Sequence, residues 1–135
     1  MYEKITRFLP EFAAEKFGAP AEHPSLCNVW DYSGWVEQMN GEIMELVEEY
    51  RLADLHRYHD YLPDEDKAPD RYTEVEAMAT LVNYIRGERF SSGAILTGLE
   101  SGVTEACVRV LARADEARKS KKGVFRLFLS KKKDK

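Results

Sequence analysis

Thr73-Glu74-Val75-Glu76, running on into Ala77-Met78-Ala79-Thr80-Leu81-Val82-Asn83-Tyr84-Ile85-Arg86-Gly87, is the stretch on which the reading of the fold turns. A threonine followed three residues later by a glutamate fits a capping box, in which hydroxyl and carboxylate satisfy each other's backbone donors at a helix start. Val75, Met78, Ala79, Val82 and Ile85 then recur at helical spacing, and Arg86-Gly87 supplies a stop. The pattern predicts an amphipathic helix with one face on a core.

Downstream, Ser91 or Ser92 offers an N-cap for a short helix carrying Ala94, Ile95, Leu96 and Leu99, which Gly102 would close. Val103, Ala106, Cys107, Val110, Leu111 and Ala114 follow as the cleanest apolar stripe in the chain, with Glu105, Arg109 and Arg113 on other faces. Upstream, Val36, Met39, Ile43, Leu46, Val47 and Tyr50 keep a helical period behind Ser33 as N-cap. The period runs through Asn40-Gly41 in register, so one helix is expected there, a lone glycine costing only about 1 kcal/mol. Ile5, Phe8, Leu9, Phe12, Ala13 and Phe17 predict a further helix over 3–17, with a kink or break near Leu9 because Pro10 removes a ladder bond. Gly18, Pro20 and Pro24 predict an irregular segment after it, and Pro63, Pro69 and the acids Asp64, Glu65, Asp66 and Asp70 a solvated loop. The expected fold is all-α: a single-domain bundle of about five helices with irregular loops.

The composition agrees with one globular domain. In 135 residues, 44% are hydrophobic and 33% charged, enough for one core and too few for two. Apolar runs fall far short of the ~20 residues that cross a bilayer, and Met1-Tyr2-Glu3-Lys4-Ile5 lacks the basic-then-apolar order of a signal peptide. A non-transmembrane, cytoplasmic protein is expected. Cys27 and Cys107 lie far apart, which leaves no disulfide framework or CxxC pair; both are read as reduced and structural.

The net charge of −4 hides a division. Residues 119–135 carry eight basic side chains against Asp134, a charge of +7, while residues 1–118 carry 12 basic and 23 acidic ones, a charge of −11. The domain boundary is therefore drawn at 118, with a basic-aromatic tail beyond it. In the tail, Lys121, Lys122, Phe125, Arg126, Phe128, Lys131, Lys132 and Lys133 are candidate contact residues. The tail could instead fold back on the body through Phe125, Phe128 and Leu129, or meet an anionic membrane surface, nucleic acid, or the acidic body of a second copy.

The steps Arg89-Phe90-Ser91-Ser92-Gly93 and Glu100-Ser101-Gly102 resemble the C-terminal portion of a prokaryotic family of small proteins filed under a domain of unknown function. The resemblance covers residues 73–114, with a weaker echo in Asp31-Tyr32-Ser33 and Glu49-Tyr50. It implies a prokaryotic or phage origin and carries no activity. Physically, Phe90 would plug the corner between two helices, Gly93 would permit close approach in the first turn, and Gly102 would close a helix in the left-handed region. The functional alternative makes Arg86, Arg89, Phe90 and Glu100 the rim of a small-ligand or peptide site beside a helix N-terminus, where unpaired amides favour an anion.

Catalytic signals are sparse. His56 and His59, three apart and flanked by Asp54 and Asp60, have metal-ligand types but no His-Glu-x-x-His pattern, and His23 stands in a distant loop. The acidic run of residues 64–70 lacks the spacing of a calcium loop. Glu48 and Glu49 are adjacent and are expected on different sides of their helix. No Gly-x-Ser-x-Gly, Walker loop or dinucleotide fingerprint occurs. No cofactor is expected. The function read from the sequence is a small binding or regulatory module acting through an unidentified protein partner or self-association. A nucleic-acid- or anionic-surface-associated protein using the tail is second, and a small-ligand or metal-dependent enzyme third.

Overall fold

The computed structural model describes residues 1–14, 16–20, 30–49, 61–90 and 93–120, so His23, Cys27, His56, His59 and the tail from Lys121 lie outside the described residues. The elements are α1 (Glu3–Thr6), α2 (Leu9–Phe12), β1 (Gly18–Pro20), β2 (Trp30–Tyr32), α3 (Gly34–Glu49), a 3-10 turn (Pro69–Arg71), α4 (Glu74–Gly87), α5 (Ala94–Glu100) and α6 (Val103–Ser120). The chain is an all-α single-domain bundle, with one small two-stranded ribbon among the described residues.

The break expected at Pro10 is present, and it is deeper than a kink. α1 stops at Thr6, and Pro10 sits in the first turn of α2, where its missing N–H costs no ladder bond. The helix expected to reach Phe17 ends at Phe12 instead. The segment expected to be wholly irregular also begins and ends in strand: β1 pairs antiparallel with β2, Gly18 opposite Tyr32, Ala19 opposite Asp31 and Pro20 opposite Trp30. A two-stranded ribbon tolerates Pro20 because a terminal edge position needs no inward donor.

α3 runs unbroken through Asn40-Gly41 and buries Val36, Met39, Ile43 and Leu46. Ser33 stands just before it, but its hydroxyl donates to the Lys16 carbonyl (2.8 Å), while the Ser33 carbonyl accepts from Val36 and Glu37. Trp35 Nε1 donates to the same Lys16 oxygen at 3.0 Å. The Trp35 ring meets Phe12 edge-on at 5.0 Å and Phe17 at 6.1 Å, so these bonds fasten the chain after α2 to the head of α3.

The capping box of α4 is formed as expected: Glu76 N donates to Thr73 Oγ1 (3.1 Å) and Thr73 N to Glu76 Oε1 (2.8 Å). The helix buries more than one stripe. Ala77 to Val82 are all buried and Val75 is half exposed, because α4 is packed by α3, α5 and α6 together. Ile5, Met39, Ile43, Met78, Val82, Val108 and Leu111 are sealed from solvent, each contributing about 1.5–3 kcal/mol from burial.

α5 packs closely because Gly98 has no side chain: a Cβ there would stand 2.5 Å from Thr104 Oγ1 and 2.8 Å from the Tyr84 ring. Gly102, at φ +82°, makes the left-handed link into α6, as expected. Cys107 lies in the buried stripe of α6, and burial pushes its thiol up to about 12. α6 continues through Ser120, past the boundary drawn from charge. Near its end, Arg118 donates to both Glu74 oxygens and to Asp115 Oδ1, and its guanidinium lies 5.6 Å from the Tyr2 ring centre. Tyr2 donates its amide to Asp115 Oδ2 (2.8 Å) and its hydroxyl to Glu74. These bonds join the starts of α1 and α4 to the end of α6. No described helix is long and apolar enough to cross a membrane.

Candidate functional site

The corner between α4 and α5 is built around a carboxylate. After Gly87 the chain tightens, with Arg89 N donating to the Arg86 carbonyl (3.2 Å) and Phe90 N to the Gly87 carbonyl (3.0 Å). The Glu88 side chain then crosses the turn and accepts from Gly93 N at 3.0 Å and Ile95 N at 2.9 Å. The Tyr32 hydroxyl, from β2, donates to Glu88 Oε1 (3.0 Å) and accepts from Leu96 N (3.1 Å). Together they satisfy amides that a helix start leaves open. Burial, with Glu88 alongside, pushes the Tyr32 hydroxyl up to about 12.

Three expectations fail at this corner. Gly93, not a serine, is the residue before α5, and Ser91 and Ser92 lie outside the described residues. Gly93 is needed for its φ of +98° rather than for close approach, since a Cβ there would meet nothing within 4 Å. Phe90 does not plug the corner. Its exposure is 90%, against 50% for Val75 and 38% for Tyr61 among the described residues. The Glu88 carboxylate, not the phenyl ring, bridges the turn, and the ring stands in solvent.

Arg86, Arg89 and Phe90 therefore share one exposed corner. Glu100 does not join them; it ends α5, about 9 Å along the axis from Ala94. Of the amides at the start of α5 that could have drawn an external anion, those of Gly93, Ile95 and Leu96 are already bonded to Glu88 and Tyr32.

Glu100 belongs to a second feature, a cleft of about 320 Å³ bordered by Phe12, Phe17, Leu99, Glu100, Gly102 and Glu105. The Phe12, Trp35 and Phe17 rings back one wall. Glu105 is paired with Arg109 one turn on (2.7 Å), while the Glu100 carboxylate makes no ion pair among the described residues. Glu45, Glu48 and Glu49 border one shallow depression on α3, so Glu48 and Glu49 share a surface after all; spacings of three and four residues from Glu45 bring them onto it.

Among the described residues no cluster of histidine, cysteine and acidic side chains could hold a metal ion. His56, His59, Asp54 and Asp60, and the tail candidates Lys121, Lys122, Phe125, Arg126, Phe128, Lys131, Lys132 and Lys133, lie outside the described residues. Sequence reasoning missed Glu88, Tyr32 and Glu105. Glu105 had a visible signal, its i, i+4 spacing to Arg109. The bonds of Tyr32 to Glu88 and Leu96 span 56 and 64 residues, and no local pattern announces them.

Fold and site define a class no narrower than a small all-α domain with an exposed aromatic corner and a separate acidic-aromatic cleft. The chain matches no protein-family model, no curated protein and no solved structure.

Proposed function

We propose that this protein is a small helical binding module that works in the cytoplasm through protein–protein contacts, with Phe90 as its anchor. One observation carries the reading: Phe90 is 90% exposed on a turn braced from both sides by Glu88. A large aromatic held in solvent gains nothing from folding, and aromatic side chains of this kind, with arginine, dominate the energetics of interfaces. Arg86 and Arg89 flank it on the same turn. The resemblance to the prokaryotic small-protein family is part of the reading, supported by the Arg89-Phe90 and Glu100-Ser101-Gly102 steps both falling at helix-to-helix turns.

The test is site-specific photo-crosslinking in cells, with a benzophenone amino acid at position 90 and, as control, at the half-exposed position 75. The reading predicts a discrete protein adduct from position 90 that position 75 does not give. Equal or absent adducts at the two positions would contradict it.

The division of charge favours a second reading, in which the +7 segment of residues 119–135 attaches the domain to nucleic acid or an anionic surface. Such binding would weaken steeply with salt and would disappear when residues 121–135 are removed.

A further inference from the structure

The corner and the cleft are complementary. Arg89 and Phe90 form a basic-aromatic projection, while Glu100 and Glu105 form an acidic hollow with the half-buried Phe17 at its edge and the buried Phe12 behind it. We propose that the corner of one copy of this chain docks into the cleft of a second copy, the Phe90 ring against Phe17 and Arg89 facing Glu100. This rests on the reading of Phe90 as an anchor and names its partner.

Three observations carry it. The cleft's volume of about 320 Å³ lies at the small end of the range for pockets, about 300–1,000 Å³, and suits one aromatic side chain with its neighbours. Glu100 stands on the rim without an ion pair among the described residues, and an arginine brought beside it gives a charge-assisted contact. Corner and cleft also occupy opposite ends of the same short helix, α5. The bonds from Glu88 to Gly93 and Ile95 fix the corner at its own end, so it cannot turn into its own cleft, and the contact forms between copies. A patch of this size gives weak, transient association, below the roughly 1,200 Å² at which stable interfaces begin. If each of two copies offers its corner to the other the contact closes as a two-fold dimer; otherwise it propagates head to tail.

The test is sedimentation of the full chain from about 10 μM to about 1 mM, a range set by weak affinities. The weight-average mass should rise reversibly with concentration. Phe90→Ser and Glu100→Lys, both at exposed positions and each checked for an unchanged melting curve, should each weaken association by about 30-fold, the scale of truncating an interface anchor. Mixing these two variants should restore a dimer, because one supplies an intact cleft and the other an intact corner. Arg89→Glu combined with Glu100→Lys in one chain should recover part of the association that either change alone removes.

A monomer at every concentration overturns the inference, and so does a mixture that fails to complement. Association that survives Phe90→Ser but is lost on removing residues 121–135 overturns it too, in favour of the tail as occupant. Adducts from position 90 to a different protein, with the purified chain monomeric, leave the binding module standing and remove the second copy as its partner.

Discussion

The Tyr32 hydroxyl donates to Glu88 Oε1 across 3.0 Å, bonding the β-ribbon to the corner that carries Phe90. Tyr32 also accepts from Leu96 N, and Glu88 from Gly93 N and Ile95 N, so two side chains cap three amides at the N-terminal end of α5. Glu88→Ala should cost about 1–2 kcal/mol, the scale of a lost cap with amides left open. Tyr32→Phe should cost about 1 kcal/mol. Urea unfolding measures both, and amide exchange at Ile95 and Leu96 should quicken in the respective variant. Unchanged exchange would mean that these amides have other acceptors.

The same contact sets a pH dependence. The folded protein holds the Tyr32 hydroxyl at about 12, above its ordinary 10, through burial first and Glu88 second. A raised pKa in the folded state means that the neutral hydroxyl is the form that folding favours. Its contribution is fully present below pH 10 and is lost as pH rises through about 12. The stability difference between the wild type and Tyr32→Phe should therefore shrink across that window. A difference constant through it would show that the folded protein does not hold the hydroxyl above its ordinary range.

Two glycines should respond in opposite directions. Gly98→Ala forces a Cβ against Thr104 and Tyr84 and should destabilise by about 1–3 kcal/mol through overpacking. Gly41→Ala, inside α3 with nothing within 4 Å of the new atom, should stabilise by about 0.5–1 kcal/mol. Thermal melts of the two variants check both signs.

What was legible in the sequence was local. The Thr73 and Glu76 capping box, the period that carries α3 through Gly41, and the burial of Cys107 all depend on residues within a turn or two of each other. What was illegible depends on distance along the chain. The β1 and β2 pairing joins segments on either side of residues 21–29, and the bonds of Tyr32 to Glu88 and Leu96 arise only once β2 lies beside α5. Phe90 was read as a plug because aromatics usually bury. In the structure the Glu88 carboxylate bridges the corner instead and Phe90 is exposed.

Arg118 clamps Glu74 and Asp115 while a third of its side chain stays in solvent. Solvent screens such a pair, which places it nearer the exposed value of up to about 1 kcal/mol than the 3–5 kcal/mol of a fully buried one. Asp115, with a side chain only 9% exposed, raises the cost of losing the partner. Arg118→Ala should destabilise by about 1–2 kcal/mol, and part of that loss should fade as salt rises. A loss below a few tenths of a kcal/mol would show that the clamp adds nothing net.

The central claim is that the fold presents Phe90 outward and does not use it. The unfolding free energy of Phe90→Ala tests this most directly. The account predicts a change within about 0.5 kcal/mol of zero, as for a surface substitution, together with the loss of the position-90 contact. A loss of about 3–5 kcal/mol, the cost of emptying a buried phenylalanine site, would put the ring in the core and contradict it.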